Sequence, residues 1–168
     1  MCKKCILTQG ESKMEFVTSN KEMIPFELKI MNSHPEYNLL AEGKRILTDE
    51  DMLEEHEEGK ELAKERYLMK VEEDYIGIID FVMRNPRDEK PWLGLLIIHQ
   101  SWSRQGKAEK ALAIYEDMMK ERGIREVRLG CFEANAAGLA FWEKTGFQRV
   151  KKIEFREKPL WIMEKALN

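Results

Sequence analysis

The sequence predicts an α/β fold, a single domain in which a mixed, mostly antiparallel central sheet is flanked by helices. Three observations predict it. The chain has 168 residues, enough for one real core and too few for two domains. Its patterns run as two helices, three meandering strands, a helix, a strand, a helix and two strands. At the centre, the apolar run Leu93 to Ile98 feeds a periodic helix through a polar turn containing Gly106.

Each element has its own signal. Lys4 to Thr8 and Met14 to Thr18 flank a turn around Gly10 and would pair as a hairpin. Residues 23 to 32 read as a helix, with Met23, Ile24, Phe26, Leu28, Ile30 and Met31 mostly on one face. His34-Pro35 is expected to end it, because the residue before proline avoids the helical region. Residues 36 to 47 read as loop or short helix. Thr48 caps a second helix with an acidic first turn, expected to reach about Arg66, with His56 on its solvated side.

From Tyr67 the pattern changes to strands. Tyr67 to Val71 and Tyr75 to Met83 should pair antiparallel around the turn Glu72 to Asp74. A loop of turn formers, Asn85 to Pro91, leads to Leu93 to Ile98, expected to be the most buried strand. Ala108, Ala111, Leu112, Tyr115, Met118 and Met119 make the core stripe of the clearest helix, closed by Gly123. Val127 to Cys131 is a strand and Asn135 to Lys144 a helix closed by Gly146. Val150 to Phe155 and Leu160 to Glu164 form a last hairpin, turning near Lys158-Pro159. Trp161 and Ile162 in that strand would pair across a homodimer or simply finish the sheet.

Composition narrows the function. With 43% hydrophobic and 35% charged residues the chain is a soluble globular protein. A net charge of −3 offers no basic footprint, so no nucleic-acid partner is expected. No segment has the apolar length of a membrane span and the first residues lack a signal peptide's apolar core. No membrane partner and a cytoplasmic location are therefore the expectation. Cys2 and Cys5 form a C-x-x-C, but a zinc site needs two more ligands, and Cys131, His34, His56 and His99 are scattered. Reduced thiols and no metal are expected.

A strand that turns tightly into a helix leaves unpaired N–H groups backed by the helix dipole, which is an anion site. Arg104 and Lys107 add positive charge there. Residues 75 to 156 resemble the core of the GNAT superfamily of N-acetyltransferases. Ser103-Arg104-Gln105-Gly106-Lys107-Ala108 stands at the family's phosphate signature Q/R-x-x-G-x-G/A. Gly106 and Ala108 match it, and Ser103 replaces the usual Gln or Arg. Asn135 to Phe147 is similar to the family's N-x-x-A-x-x-F-Y-x-x-x-G-F segment. Asn135, Phe141, Gly146 and Phe147 match, and Trp142 replaces the usual tyrosine.

The resemblance implies acetyl-CoA as cosubstrate. Its pyrophosphate would rest on the backbone of Arg104, Gln105, Gly106, Lys107, Ala108 and Glu109. Its pantetheine arm would pair along Leu96, Ile97 and Ile98 like an added strand, where the central strand splays from the one leading to Asn135. Asn135 would bond the arm, cap its helix, or both, and Trp142 would wall the pocket. Residues 67–168 would form this acetyl-CoA-binding core, and the helical residues 1–66 the acceptor side.

Acetyl transfer needs a deprotonated amine, a polarised thioester and a proton for the thiolate. His99, at the exit of the central strand, is the first candidate base, with Asp80 next and Glu133 third. Trp142 cannot protonate the thiolate, so water, Tyr115 or Cys131 would. The segment Asn32 to Lys44, with Glu36 and Glu42, is a candidate wall of an amine pocket. Three readings follow: an N-acetyltransferase for a small primary amine, a protein N-terminal or lysine acetyltransferase, and a CoA-binding module with little catalysis.

Overall fold

The computed structural model describes residues 12–168, so the strand expected at 4–8 and the pair Cys2 and Cys5 lie outside the described residues. The strands are β1 (Met14–Thr18), β2 (Glu65–Val71), β3 (Asp74–Val82), β4 (Trp92–Ile98), β5 (Glu126–Phe132), β6 (Gln148–Phe155) and β7 (Lys158–Ala166). They form one seven-stranded sheet in the order β1-β2-β3-β4-β5-β7-β6. Every neighbouring pair is antiparallel except β4 with β5. The helices are α1 (Ile24–Met31), α2 (Pro35–Glu42), α3 (Asp49–Glu61), α4 (Lys107–Glu121) and α5 (Ala136–Lys144).

Two apolar layers hold the helices to the sheet. Leu68, Ile78 and Ile97 meet Ile24, Ile30, Met31 and Met52 of α1 and α3 on one face. Met69, Ile79, Phe81, Leu93 and Leu129 meet Ala111, Leu112, Tyr115, Met119 and Leu139 of α4 and α5 on the other. Period-2 alternation in the strands and the 3.6-residue stripe of α4 send these residues to their layers.

The structure corrects several expectations. Helix α1 ends at Met31, ahead of His34-Pro35 as expected, but Pro35 also starts α2 at once. Proline suits a first turn, where its missing N–H has no partner to lose. Helix α3 stops at Glu61, where Ala63 takes φ 52° and Lys64 N–H bonds back to Gly59 O at 2.8 Å. Arg66 is thereby freed for β2. His56 is no surface histidine, because its side chain is 11% exposed and bonded to buried Glu27. The most buried strand is β3, closed from Ile76 to Val82, whereas β4 buries only Leu93 and Ile97. That difference follows from β4 being nearly unpaired on its β5 side. The last hairpin turns at Arg156 and Glu157, both left-handed at φ 51° and 65°, and Pro159 lies within β7.

Candidate active site

Between β4 and β5 the sheet comes apart. The two strands share one ladder pair, Trp92↔Arg128, supported by Arg128 N–H to Pro91 O at 3.1 Å. On its other edge β4 stays paired with β3 as far as Gly77↔Ile98, and His99 N–H extends the ladder to Ile76 O at 2.7 Å. Backbone groups alternate in direction, so Leu95 and Ile97 face β3 while Leu96 and Ile98 face the gap. A bulge at Gly94 interrupts this ladder, and a Cβ there would lie 2.5 Å from Asp80 Oδ1. A cleft edged by N–H and C=O groups outside the ladder, of which Ile98 O is met by His34, suits an extended, amide-rich chain.

At the mouth of the cleft, a short 3₁₀ turn (Gln100–Trp102) and the loop to Gly106 lead into α4. Arg104 and Gly106 are left-handed, at φ 59° and 72°. Glycine adopts this without strain. The first backbone bond into α4 runs from Lys110 N–H to Gly106 O at 3.1 Å, and no side chain caps the helix. Among the described residues, the N–H groups of Arg104 to Glu109 have no backbone acceptor. No other atom lies within 4 Å of where a Gly106 Cβ would stand. This open helix start, with a 15-residue helix behind it, has the backbone arrangement and dipole direction that favour negative charge. Lys107 Nζ lies 5.9 Å from the centre of the Trp102 ring, and Arg104 is exposed.

The α1–α2 corner closes the other face. Ser33 Oγ accepts from Gln100 N–H at 3.1 Å and donates to Ile30 O at 2.6 Å. His34 Nε2 lies 2.6 Å from Ile98 O. Tyr37 packs against apolar residues on both sides of the cleft. Burial, then the negative charge of Asp80 and Glu42, raises its pKa, so the hydroxyl keeps its proton. His99 is turned into its own loop, where Nδ1 accepts from Ser101 N–H at 3.1 Å and lies 2.9 Å from Ser101 Oγ. Burial, with the positive charges of Lys29 and His34, holds His99 below its ordinary 6.5.

Asp80 belongs to a buried ion cluster on the same face. Arg66 donates to Asp80 Oδ2 from Nε at 3.2 Å and Nη2 at 2.8 Å, to Glu27 at 3.1 Å and to Glu55 at 3.3 Å. Glu27 also accepts from Ser19 Oγ at 3.0 Å and from His56 Nε2 at 2.7 Å. Burial opposes the charge of Arg66, but Asp80, Glu27 and Glu55 outweigh it and raise its pKa. Asp80 Oδ1 is turned toward Gly94. Asp80 pairs with Leu95, four residues before His99 and so about 13 Å along the strand. The two candidate bases are not brought together.

Glu133 is exposed and paired with Lys152 at 3.3 Å. Asn135 Oδ1 accepts from Gly138 N–H at 3.0 Å, so this residue caps α5 through its oxygen. Trp142 stands edge-on to Phe141 and Phe147 against the α4-side core. Burial pushes the Cys131 thiol up to about 11. Tyr115, its pKa raised by burial, has a hydroxyl with no partner and a ring against Phe81 at the closed end of the cleft. Neither is poised to give up a proton. The sequence placed the segment Asn32 to Lys44 at the amine side but singled out Glu36 and Glu42 rather than His34 and Tyr37. The one available signal was a histidine next to a proline, which reads equally well as helix punctuation. Among the described residues no His, Cys, Asp or Glu side chains cluster as metal ligands, and no helix is long and apolar enough to cross a membrane.

The chain is similar to solved structures at low sequence identity. An acetyltransferase from Thermus thermophilus superposes with TM-score 0.78 at 19% identity, covering 94% of this chain and 100% of that one. The PaiA N-acetyltransferase of Thermoplasma acidophilum, in complex with coenzyme A, gives 0.67 at 19% identity, covering 92% and 99%. A Salmonella typhimurium acetyltransferase that modifies the N-terminal serine of a 50S ribosomal subunit protein gives 0.77 at 14%, covering 92% and 95%. No curated protein matches the chain. The family model described as the acetyltransferase (GNAT) family matches residues 33–147. That match spans the α1–α2 corner, the splayed strands and the uncapped helix start, and by it the chain belongs to the acetyltransferase (GNAT) family as an acetyl-CoA-dependent acyltransferase.

Proposed function

We propose that this enzyme moves the acetyl group of acetyl-CoA to a primary amine of a small molecule, by direct attack in a ternary complex. The observation that carries the proposal is the cleft itself. A parallel β4–β5 pair reduced to one ladder contact opens beside a run of unpaired N–H groups at a helix start. The pyrophosphate would lie on Arg104, Gln105, Gly106, Lys107, Ala108 and Glu109, and the arm along Leu96 to Ile98. The Asn135 side chain amide would bond the arm through its nitrogen, since its oxygen is taken by the cap. Trp142 would wall the pocket. The coenzyme A complex of the Thermoplasma relative supports the choice of cosubstrate.

The amine would enter from the α1–α2 face past Tyr37, and the negative charge of Asp80 deeper on that face suits a cationic acceptor. His99, held neutral at the strand exit, would not take the amine's proton, because its Nδ1 already accepts from Ser101 N–H. Glu133, paired with Lys152, has no part in this scheme. A protein amine is the second reading, supported by the Salmonella relative that modifies a ribosomal protein.

Titration with acetyl-CoA followed by a thiol-release assay over small amines and N-terminal or lysine peptides tests the proposal. Amine-dependent release with small amines supports it. Release with peptides only favours the second reading. Binding with no release leaves a CoA-binding module, and no binding refutes the cofactor site.

A further inference from the structure

We infer that His34 is the general base that deprotonates the acceptor amine. The inference rests on the acetyl-transfer reading above and begins from one hydrogen bond. His34 Nε2 lies 2.6 Å from Ile98 O, and a carbonyl oxygen only accepts. The ring proton is therefore on Nε2, and the basic lone pair is on Nδ1. Nδ1 has no protein partner among the described residues: His34 precedes a proline that has no N–H to give, and it makes no side-chain cap to α2. His99 shows the opposite arrangement, with its Nδ1 already accepting from Ser101 N–H at 3.1 Å.

Position matches chemistry. Ile98 C=O points away from the β3 ladder and into the gap, so the ring that bonds it lines the cleft where the arm would pair. Sixty-four positions separate the two residues, so only the fold brings the imidazole there. Ser33 bonding to Gln100 N–H holds the same corner against the strand exit. The titratable groups sharing the corner are Lys29 on α1, His99 after β4 and Tyr37 on α2.

The step balances as follows. An ammonium acceptor gives one proton to His34 Nδ1, and its freed lone pair forms the C–N bond to the thioester carbonyl carbon. The C–S bond then breaks, and a second nitrogen proton passes to the thiolate, giving amide, CoA thiol and an imidazolium that returns its proton to solvent. General-base catalysis of this kind is worth about 10²- to 10⁴-fold.

The test is His34→Gln, whose amide N–H still reaches Ile98 O but which has no basic nitrogen. With the amine found by the thiol-release assay, kcat should fall about 100-fold or more. The acidic limb of the kcat/KM profile should disappear, while acetyl-CoA affinity and thermal midpoint stay near wild type. His99→Ala should retain the limb. An acidic limb unchanged in His34→Gln overturns the assignment and leaves the residue a clamp. Wild-type protein that releases no thiol with any amine refutes the acetyl-transfer reading, and the assignment with it.

Discussion

At Cys131 burial raises the thiol to about 11, which leaves only about one molecule in ten thousand as thiolate at neutral pH. Native protein should therefore resist alkylation at Cys131, and react there only when unfolded. Peptide mapping after iodoacetamide treatment separates this site from Cys2 and Cys5. Gly94 makes the second point at this scale. Its missing side chain leaves room for Asp80, whose other oxygen is held by Arg66. Asp80 has little room to yield, because it is 2% exposed and its Oδ2 is held by Arg66. Gly94→Ala should cost about 1–3 kcal/mol, seen as a lowered midpoint in chemical denaturation with unchanged slope.

Between elements, the vertex of the cleft is stapled by side chains where the backbone ladder is too short to do it. Asp88 in the β3–β4 loop accepts from Trp92 Nε1 at 3.0 and 2.9 Å, from Lys90 N–H at 3.0 Å and from Arg128 Nη1 at 3.3 Å. Arg128 Nε in turn reaches Glu164 on β7 at 2.6 Å. These bonds join β4, β5 and β7 at the one place where β4 and β5 touch. Asp88→Ala should loosen the splay rather than the chemistry. We expect the KM for acetyl-CoA to rise by about 3- to 30-fold, with kcat changed less than KM. Glu65→Ala, which breaks a pair with Arg122 elsewhere, should lower stability without that shift.

For the whole molecule, the N-terminal helices are bound to the sheet by charge as well as by apolar contact. The cluster of Glu27, Arg66, Asp80, Glu55 and His56 ties α1 and α3 to β2 and β3. At the far end, Arg156 Nη1 and Lys158 Nζ donate to Ala41 O at 2.7 Å and Leu40 O at 2.6 Å, so the last hairpin caps α2. Two sets of groups link stability to pH. Glu55 is half-buried, which raises its pKa, but Lys64 and Arg66 outweigh burial and hold it below 4.5; Arg122 does the same for Glu65. Groups with depressed carboxylate pKa stabilise the fold above their unfolded values and lose that contribution as pH falls below about 4.5. His99 is also depressed, so the unfolded chain takes its proton first and stability starts to fall below about 6.5. The thermal midpoint should therefore drop in two steps on acidification. His99→Gln should remove only the upper one.

Residues 92 to 108 and 135 to 147 carry the resemblance to the family, because a strand, a glycine turn and a helix start constrain local backbone that any reader of the chain can see. The order of elements was legible for the same reason, since periodicity of 2 and of 3.6 is a local property. Boundaries moved where a local signal had two meanings, as at Pro35, which both stops a helix and starts one. Contacts across long separations were not legible. That His56 is buried on Glu27, that Asp80 is held by Arg66, and that His99 has already given its Nδ1 to Ser101 depend on which surfaces meet. So does the placement of His34 against Ile98. The sequence by itself determined the fold and the donor; only the tertiary structure decided which nitrogen at the cleft is left with a free lone pair, because hydrogen-bond partners are chosen in space and not along the chain.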